Sequence, residues 1–584
     1  MSNRKYAGLA AGLTASIMLL SACGTSGESA APSGSPSAAT TEAAGGAADT
    51  IAYAEAQEFN SFNSIAVNNL TNRMVMQNTL SGFWDFGEKG AVTPNTDFGT
   101  YEKTSDDPLT VKYTISDKAV WSDGTPIDCD DMLLWWIVKS GKGGDFQTDG
   151  TTGVELTKAP ACDKGGKSFE LVYSEPFADW DSNGPSNNEV LPAHVIEKES
   201  GLSEDDFIAA VKAEDKTKLA PASKAWNTIW VIQGQLPAAD KIPASGPYRI
   251  ESMQAGQSVT MVANDKYWGT APATKTLIQR VIPEDQQVQA LQNGEVQAIE
   301  PQPNADLVKQ LEGLQGIKVQ TGSSFTYEHM DFNFDSSPFK DKALREAFAL
   351  CVPRQLIVDN LIKPVAADSE PLKVRNVLPF EATYPAVSDA AGFDKYAQPD
   401  IAGAKAILEK AGKVGQEVKI GHIIPNPRRT STVDLIRDSC EQAGFKVTDA
   451  GEENFFEADG GLNTNTYDVA LFAWVGSGQV SGWSSTYRTV AQGKCDADHK
   501  ANNSGCYSNK EVDKLINELN GTTDKSKHPA MINQIEKLLW ADLATIPLFA
   551  HPLVTAWDEK LQGVNPNPAQ STYVWNAETW TLGS

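Results

Sequence analysis

Histidine, cysteine and carboxylate groups are the raw material for chemistry in this 584-residue chain, which holds six histidines, seven cysteines and 75 acidic residues. Their spacing argues against most catalytic uses. The histidines are scattered, with no His-Glu-x-x-His pair for a metal-dependent hydrolase and no Gly-x-Ser-x-Gly turn for a nucleophilic serine. Gly166-Lys167-Ser168 has the end of a phosphate-binding loop, but such a loop needs glycine five residues before Gly166, and Ala161 stands there. Asp145, Gln147, Asp149 and Gly150 fit positions one, three, five and six of a calcium-binding loop, yet position twelve is Leu156, with Glu155 one residue early. A solvated acidic loop is the simpler reading. His329, on an apolar strand, reads as a buried histidine with its ring hydrogen-bonded. No enzyme, cofactor or metal is expected.

One thiol does have a chemical context. Arg4 and Lys5 precede an apolar run from Ala7 to Leu20, and Leu20-Ser21-Ala22 places small residues before Cys23. This is the pattern of a lipoprotein signal peptide over residues 1–22, with Cys23 as the acyl-bearing residue. The run is about 14 residues, and a membrane span needs about 20. Residues 24–49, rich in Ala, Gly, Ser, Thr and Pro, cannot bury enough apolar surface to fold. With Cys23 they read as a flexible tether with a root-mean-square span of about 25–30 Å. Cleavage before Cys23 removes two of 49 basic residues and none of 75 acidic ones, leaving a formal charge of −28. Such a surface repels phosphate backbones, so nucleic acid is not an expected partner.

Around these groups the periodicity predicts a mixed α/β chain. Ile242–Gly269 reads as a β-hairpin: Tyr248, Ile250 and Met253, then Val259, Met261 and Ala263, roughly alternate with polar residues around the turn Gln254-Ala255-Gly256-Gln257. Strands are expected at Ile51–Ala56, Ser168–Tyr173, Val296–Ile299, Gly316–Gln320, Glu328–Phe334, Glu417–Ile423 and Lys446–Asp449. Helices are expected at Ala305–Leu311, Asp341–Asp359, Ile401–Ala411 and Ser431–Ala443, the last two ended by Gly412 and Gly444. Glu300-Pro301-Gln302-Pro303 is stiff and extended and reads as a crossing between lobes. Trp135 and Trp136, in a helix with little polar face, read as core, as does Trp540. Helix alternating with strand implies a partly parallel sheet, and the length implies more than one core.

Five segments in order carry a family resemblance: Trp121-Ser122-Asp123-Gly124-Thr125-Pro126 followed by Asp130-Asp131; Ser245-Gly246-Pro247-Tyr248 with its hairpin and Asn264-x-x-Tyr267-Trp268; Asn333 to Leu350; Tyr467-Asp468-Val469 leading to Trp474; and Ile546-Pro547-Leu548-Phe549. Over residues 50–584 the chain resembles the extracellular solute-binding proteins of family 5, the peptide-binding components of ABC importers. The resemblance implies an α/β bilobal type II periplasmic-binding-protein fold with an extra small domain, the cluster C architecture. Lobe I would comprise 50–88, 189–298 and 561–584, the small domain 89–188, and lobe II 299–560. It also implies a monomer at the outer face of the membrane, held by its lipid, with a peptide or small-molecule ligand and ABC permease subunits as partners.

On that division, Cys129 and Cys162 fall in the small domain and Cys351, Cys440, Cys495 and Cys506 in lobe II, which leaves three pairings. Cys129–Cys162, Cys351–Cys440 and Cys495–Cys506 is the preferred one. The resemblance further implies that a ligand is held by main-chain pairing at Ala473, Trp474 and Val475. Ser477 stands where peptide binders carry the aspartate that pairs with a ligand's ammonium, so that counter-charge would have to come from elsewhere, from Asp468 or Glu328. Trp483 and Tyr487 are candidates to line the pocket, and Val67, Asn68 and Asn69 to reach the ligand from lobe I, Asn68 and Asn69 having helix capping as their alternative role. The expected function is capture of peptides or peptide-like solutes for import. A non-peptide solute such as an oligosaccharide or a metal chelate is the alternative, favoured by the missing aspartate and by 14 tryptophans available for stacking; an extracellular enzyme is remote.

Overall fold

A computed structural model describes residues 49–584, apart from Asn68, 336–337, 457–458, Ser477, 491–492, 497–501, 570 and 584. The signal peptide, Cys23, the tether to residue 48, Asn68 and Ser477 therefore lie outside the described residues. Ten strands form one mixed sheet in the order Lys446–Glu452, Glu417–Ile423, Val469–Val475, Ile317–Phe332, Thr545–Asp558, Ala298–Ile299, Thr50–Glu55, Thr276–Val281, Ser258–Ala263, Tyr248–Gln254. Thr50–Glu55 is parallel to a neighbour on each side, which is why Ile51, Ala52, Tyr53 and Ala54 are all buried and the run is apolar throughout. The expected hairpin occupies the opposite edge from Lys446–Glu452, with Tyr248 opposite Ala263 and Gly256 at φ +67° in the turn. A separate antiparallel sheet of three strands joins Gly99–Asp106, Leu109–Ile115 and Ser168–Val172.

Two large apolar cores flank this sheet. One gathers side chains between Ile51 and Ala298 together with Leu561, Tyr573, Val574 and Trp580; the other draws mainly on residues between Met330 and Phe549. The strand Thr545–Asp558 feeds both, with Ile546 and Phe549 in the second and Trp557 in the first.

Three readings from the sequence are corrected. The two strands expected at Gly316–Gln320 and Glu328–Phe334 are one 16-residue strand, Ile317–Phe332. Thr545–Asp558 pairs along both halves, and register shifts near Ser323 and Tyr327 absorb the polar break that looked like an end. The helix expected over Asp341–Asp359 is two, Lys342–Cys351 and Arg354–Leu361, because Pro353 has no N–H to donate and bars its predecessor Val352 from helical geometry. Eight of the 14 tryptophans are closed to ligand stacking: Trp121, Trp135, Trp136, Trp226, Trp230, Trp483, Trp540 and Trp580 are each less than 2% exposed.

Cysteine pairs Cys129–Cys162, Cys351–Cys440 and Cys495–Cys506 form the three disulfides, with Cα separations of 5.8, 4.9 and 5.7 Å. They match the preferred pairing.

Candidate functional site

A cavity of about 1180 Å³ opens where the two halves of the sheet meet. Its walls come from Leu70 and Arg73 on the helix Leu70–Thr79, from 300–306, from Ser324 and Thr326 at the irregular stretch of the long strand, from 425–429, from 551–553, and from 567–569 with Thr572. The stiff Glu300-Pro301-Gln302-Pro303 segment is thus part of a wall.

One side of this cavity is cationic for a local reason. Asn426 caps the helix Pro427–Ala443, its side chain accepting from the Arg429 backbone N–H at 3.0 Å, with proline in the first turn. That cap places Arg428 and Arg429 in the first turn, where the helix dipole also favours anions. Between them and the sheet lies Glu328, 1% exposed. Arg429 Nε and His551 Nε2 each donate to it at 2.6 Å, the latter in the tautomer protonated at Nε2. Burial alone would push the Glu328 carboxyl up, but the His551 hydrogen bond and the Arg429 charge more than offset it and hold the group well below the usual carboxylate range. Burial in turn lowers the pKa of His551. Arg428 is engaged less closely: Nη2 meets the His551 ring at 3.3 Å and lies 3.8 Å from Glu328, the guanidinium stands 5.8 Å from the Phe549 ring centroid, and Nε is sheltered from solvent without a hydrogen bond among the described residues. Across the cavity, burial lifts Glu300 to about 8 although Thr555 donates to it at 2.7 Å.

A second cavity, of about 340 Å³, shares Arg73 with the first. It is lined by carboxylates. Asp149 binds Arg73 at 3.0 Å and Lys139 at 2.6 Å, and Lys139 lies 3.4 Å from Glu189. Asp85 is lifted by burial to about 6, against donation from Ser571 Oγ at 2.9 Å and the Phe86 N–H at 2.7 Å. Gln479 and Ser481 complete the wall. That loop is fastened from the other side, since the Val480 and Ser481 N–H groups donate to Asp179 at 3.1 and 2.7 Å. The loop is solvent-exposed as expected at Asp145, Gln147, Asp149 and Gly150, although the Asp149 carboxylate faces two cations and the Gln147 carbonyl accepts from Trp226 Nε1.

The residues singled out from the sequence fall unevenly around these cavities. Ala473 and Trp474 lie on the strand Val469–Val475, opposite Glu328 and Tyr327, and Val475 stands opposite Thr326, which lines the larger cavity. The indole of Trp474 stacks on His329 with centroids 5.7 Å apart, and its Nε1 is sheltered without a hydrogen bond. His329 is buried as expected, but neither ring nitrogen makes a hydrogen bond; Nε2 lies 3.2 Å from Asp331. Trp483 and Tyr487 sit in the second core, each 1% exposed, and line neither cavity. Their spacing on the short helix Gly482–Tyr487 turns both rings toward the same apolar side. Asn69 is a helix cap, accepting from the Thr71 N–H at 2.8 Å, while Val67 donates its N–H to Asn63 at 3.0 Å. Glu328, named as a possible ammonium partner, is committed to Arg429 and His551, and Asp468 accepts from the Lys419 N–H at 2.9 Å. Sequence reasoning missed Arg73, Arg428 and His551; the one available signal was the Asn426-Pro427 cap ahead of two arginines.

The profile described as bacterial extracellular solute-binding proteins, family 5 Middle, matches residues 93–493. The chain belongs to this family. Its members are solute-binding proteins of ABC importers rather than enzymes. An uncharacterised lipoprotein of Mycobacterium tuberculosis is 28% identical over 520 residues, covering 86% of this chain and 87% of its own. Among solved structures, the periplasmic EDTA-binding protein EppA matches with a TM-score of 0.79 at 23% identity, over 93% of this chain and 98% of its own. The oligopeptide-binding protein AppA from Bacillus subtilis, in complex with a nonapeptide, matches at TM-score 0.70 and 19% identity, over 93% and 100%. These likenesses place the family 5 fold on this chain. Among the described residues no helix is long and apolar enough to cross a membrane.

Proposed function

We propose that this family 5 protein is a lipoprotein anchored at Cys23 that captures a peptide or peptide-like solute bearing a carboxylate and delivers it to an ABC permease. The ligand lies in the larger cavity, between a lobe built from 50–88, 189–298 and 561–584 and a lobe built from 299–560, with 89–188 as the added small domain. The observation that carries this reading is Arg428, a guanidinium on the cavity wall that meets the His551 ring at 3.3 Å and Glu328 only at 3.8 Å, while its neighbour Arg429 already neutralises Glu328. A carboxylate arriving there gains a charge-assisted, bidentate contact. The main chain of 473–475 runs beside Thr326 and supplies strand-type pairing for an extended ligand. Asp85, in the smaller cavity beside Gln479 and Ser481, takes the role that an aspartate at 477 would have had toward a ligand ammonium.

A second reading follows from the same cationic wall. A polycarboxylate or metal chelate would also satisfy Arg428 and Arg429, and the likeness in fold to EppA favours it. Native mass spectrometry of the protein purified from its producing cell separates the two by the mass of the retained ligand. Calorimetry with free and N-acetylated peptides then tests Asp85. Peptide binding that loses about tenfold on acetylation, with the loss abolished in Asp85→Asn, supports the peptide reading, whereas retention of a chelate and indifference to peptides overturns it.

A further inference from the structure

Away from both cavities, carboxylates converge at the start of the helix Cys129–Lys139. Asp128 precedes its first residue, Asp130 lies in its first turn, and Glu204 opens the helix Glu204–Lys212. One oxygen from each of these three lies within 4.8 Å of the others. Glu197, from the helix Ala193–Ser200, is 7% exposed and bears on the same group: its charge acts on Asp130, and those of Asp128 and Glu204 act on it. Glu197 Oε1 and Asp128 Oδ1 are both sheltered from solvent with no hydrogen-bond partner.

The surroundings compensate the group in part: Asp130 Oδ1 accepts from the Asp131 N–H at 2.8 Å, and the Asp128 side chain takes part in a capping box with the Asp131 backbone. Lys164 reaches Glu204 at 2.7 Å, but its side chain is 57% exposed and also approaches Asp205. Lys167 donates to the carbonyls of Ala119 and Ile127. The neighbouring Asp131 is spent on framework, accepting from the Asp128 and Ala193 N–H groups and from Trp121 Nε1 at 3.1, 2.8 and 3.3 Å. Those bonds lock the two helix starts together, and the Cys129–Cys162 disulfide pins the same turn. Within this frame the one cation close to the carboxylates, among the described residues, is the half-exposed Lys164 on Glu204.

We propose that Asp128, Asp130, Glu197 and Glu204 form a binding site for a hard divalent cation, calcium. The donors are all carboxylate oxygens, with no histidine or thiolate that would select zinc or copper. Two oxygens bound to one calcium at about 2.4 Å are at most about 4.8 Å apart, which is the spread observed for Asp128, Asp130 and Glu204, with Glu197 beside Asp130. Four carboxylates from three segments can turn mono- or bidentate and share the sphere with water, as calcium's six to eight ligands allow; magnesium's strict octahedron fits such a set less well. Burial and mutual repulsion raise the pKa values of Asp130 and Glu197, which is the cost of gathering these carboxyls without a counter-ion between them. Calcium ties the starts of the helices Cys129–Lys139 and Glu204–Lys212 and the body of the helix Ala193–Ser200 to the disulfide-bonded turn.

The test uses the full mature chain with Cys23→Ser, stripped on a chelating resin, because a soluble chelator is itself a possible ligand of the larger cavity. Terbium luminescence, sensitised by nearby Trp121, reports occupancy, and calcium competes for it. Wild type should bind one calcium in the range of about 0.1–1 mM that is usual for extracellular modules, and its Tm should rise with calcium at pH 7. Glu204→Gln, at a side chain only partly buried and so tolerant of the change, should weaken calcium at least tenfold and remove the rise. Glu197→Gln should do the same. Equal affinity in wild type and Glu204→Gln, or no terbium signal and no Tm shift at about tenfold above that range, overturns the proposal. A wild type stabilised by lower pH but indifferent to calcium overturns it too, since protons then suffice.

Discussion

Glu328 and Glu197 are the same side chain in nearly the same degree of burial, 1% and 7% exposed, and the structure drives them in opposite directions. Glu328 meets Arg429 and His551 and stays ionised far below its ordinary range. Glu197 meets Asp130, Glu204 and Asp128, and burial lifts it to about 7. Burial therefore does not decide the charge of a carboxylate here; the partners do. The cationic cluster holds its carboxylate as an internal counter-ion to Arg429, whereas the acidic cluster has only the half-exposed Lys164 close to it among the described residues.

The comparison breaks most visibly at Glu328→Gln. Removing the charge strands Arg429 in a buried site, and breaking such a pair by removing one partner costs about 3–5 kcal/mol. Urea unfolding at pH 7 measures it. A loss below about 1 kcal/mol would mean that Arg429 finds another acceptor. Arg428→Ala has a different signature: little change in stability, and a loss of about 1.5–3 kcal/mol in affinity for a carboxylate ligand, the worth of hydrogen bonds to charged groups. Calorimetry with the ligand found by mass spectrometry decides it, and an unchanged affinity would remove Arg428 from the site.

The pH dependence sharpens the contrast. Glu197 is raised, from an ordinary 4.5 to about 7, so its folded form holds the proton more tightly and its contribution to stability declines as pH rises from about 4.5 to 7. Glu328 is depressed, so its contribution is fully present above about 4.5 and is lost only as pH falls further. In calcium-free buffer, the difference in Tm between wild type and Glu197→Gln should slope across pH 4.5–7 and be flat below it. A flat difference throughout would mean that Glu197 titrates normally. The smallest effect is expected at Trp474→Phe, which deletes a sheltered N–H that has no partner. Stability should move by less than about 1 kcal/mol, read by thermal unfolding; a larger loss would reveal a bond to Trp474 Nε1.

Local signals carried far in this chain. The alternation around Gln254–Gln257 marked the hairpin, because a period of two and a glycine free to take positive φ are properties of neighbours in sequence. The helix stops at Gly412 and Gly444 were legible for the same reason. What was not legible is which residues meet from afar. Glu328 and Arg429 are 101 positions apart, and Arg73 meets Asp149 across 76. Trp483 and Tyr487 looked like pocket residues by proximity to Ser477, yet helical spacing turned them inward.

The sequence by itself determined the secondary elements, the apolar cores and the family, since these follow from periodicity, turn chemistry and ordered motifs. It also narrowed the disulfides to a few pairings. Only the tertiary structure decided the electrostatics: that Glu328 is an anion among cations, that Arg428 faces a cavity, and that Glu197 crowds other acids. A carboxylate's charge state depends on distances of a few ångströms between residues dozens or hundreds of positions apart, and those distances exist only once the chain has folded.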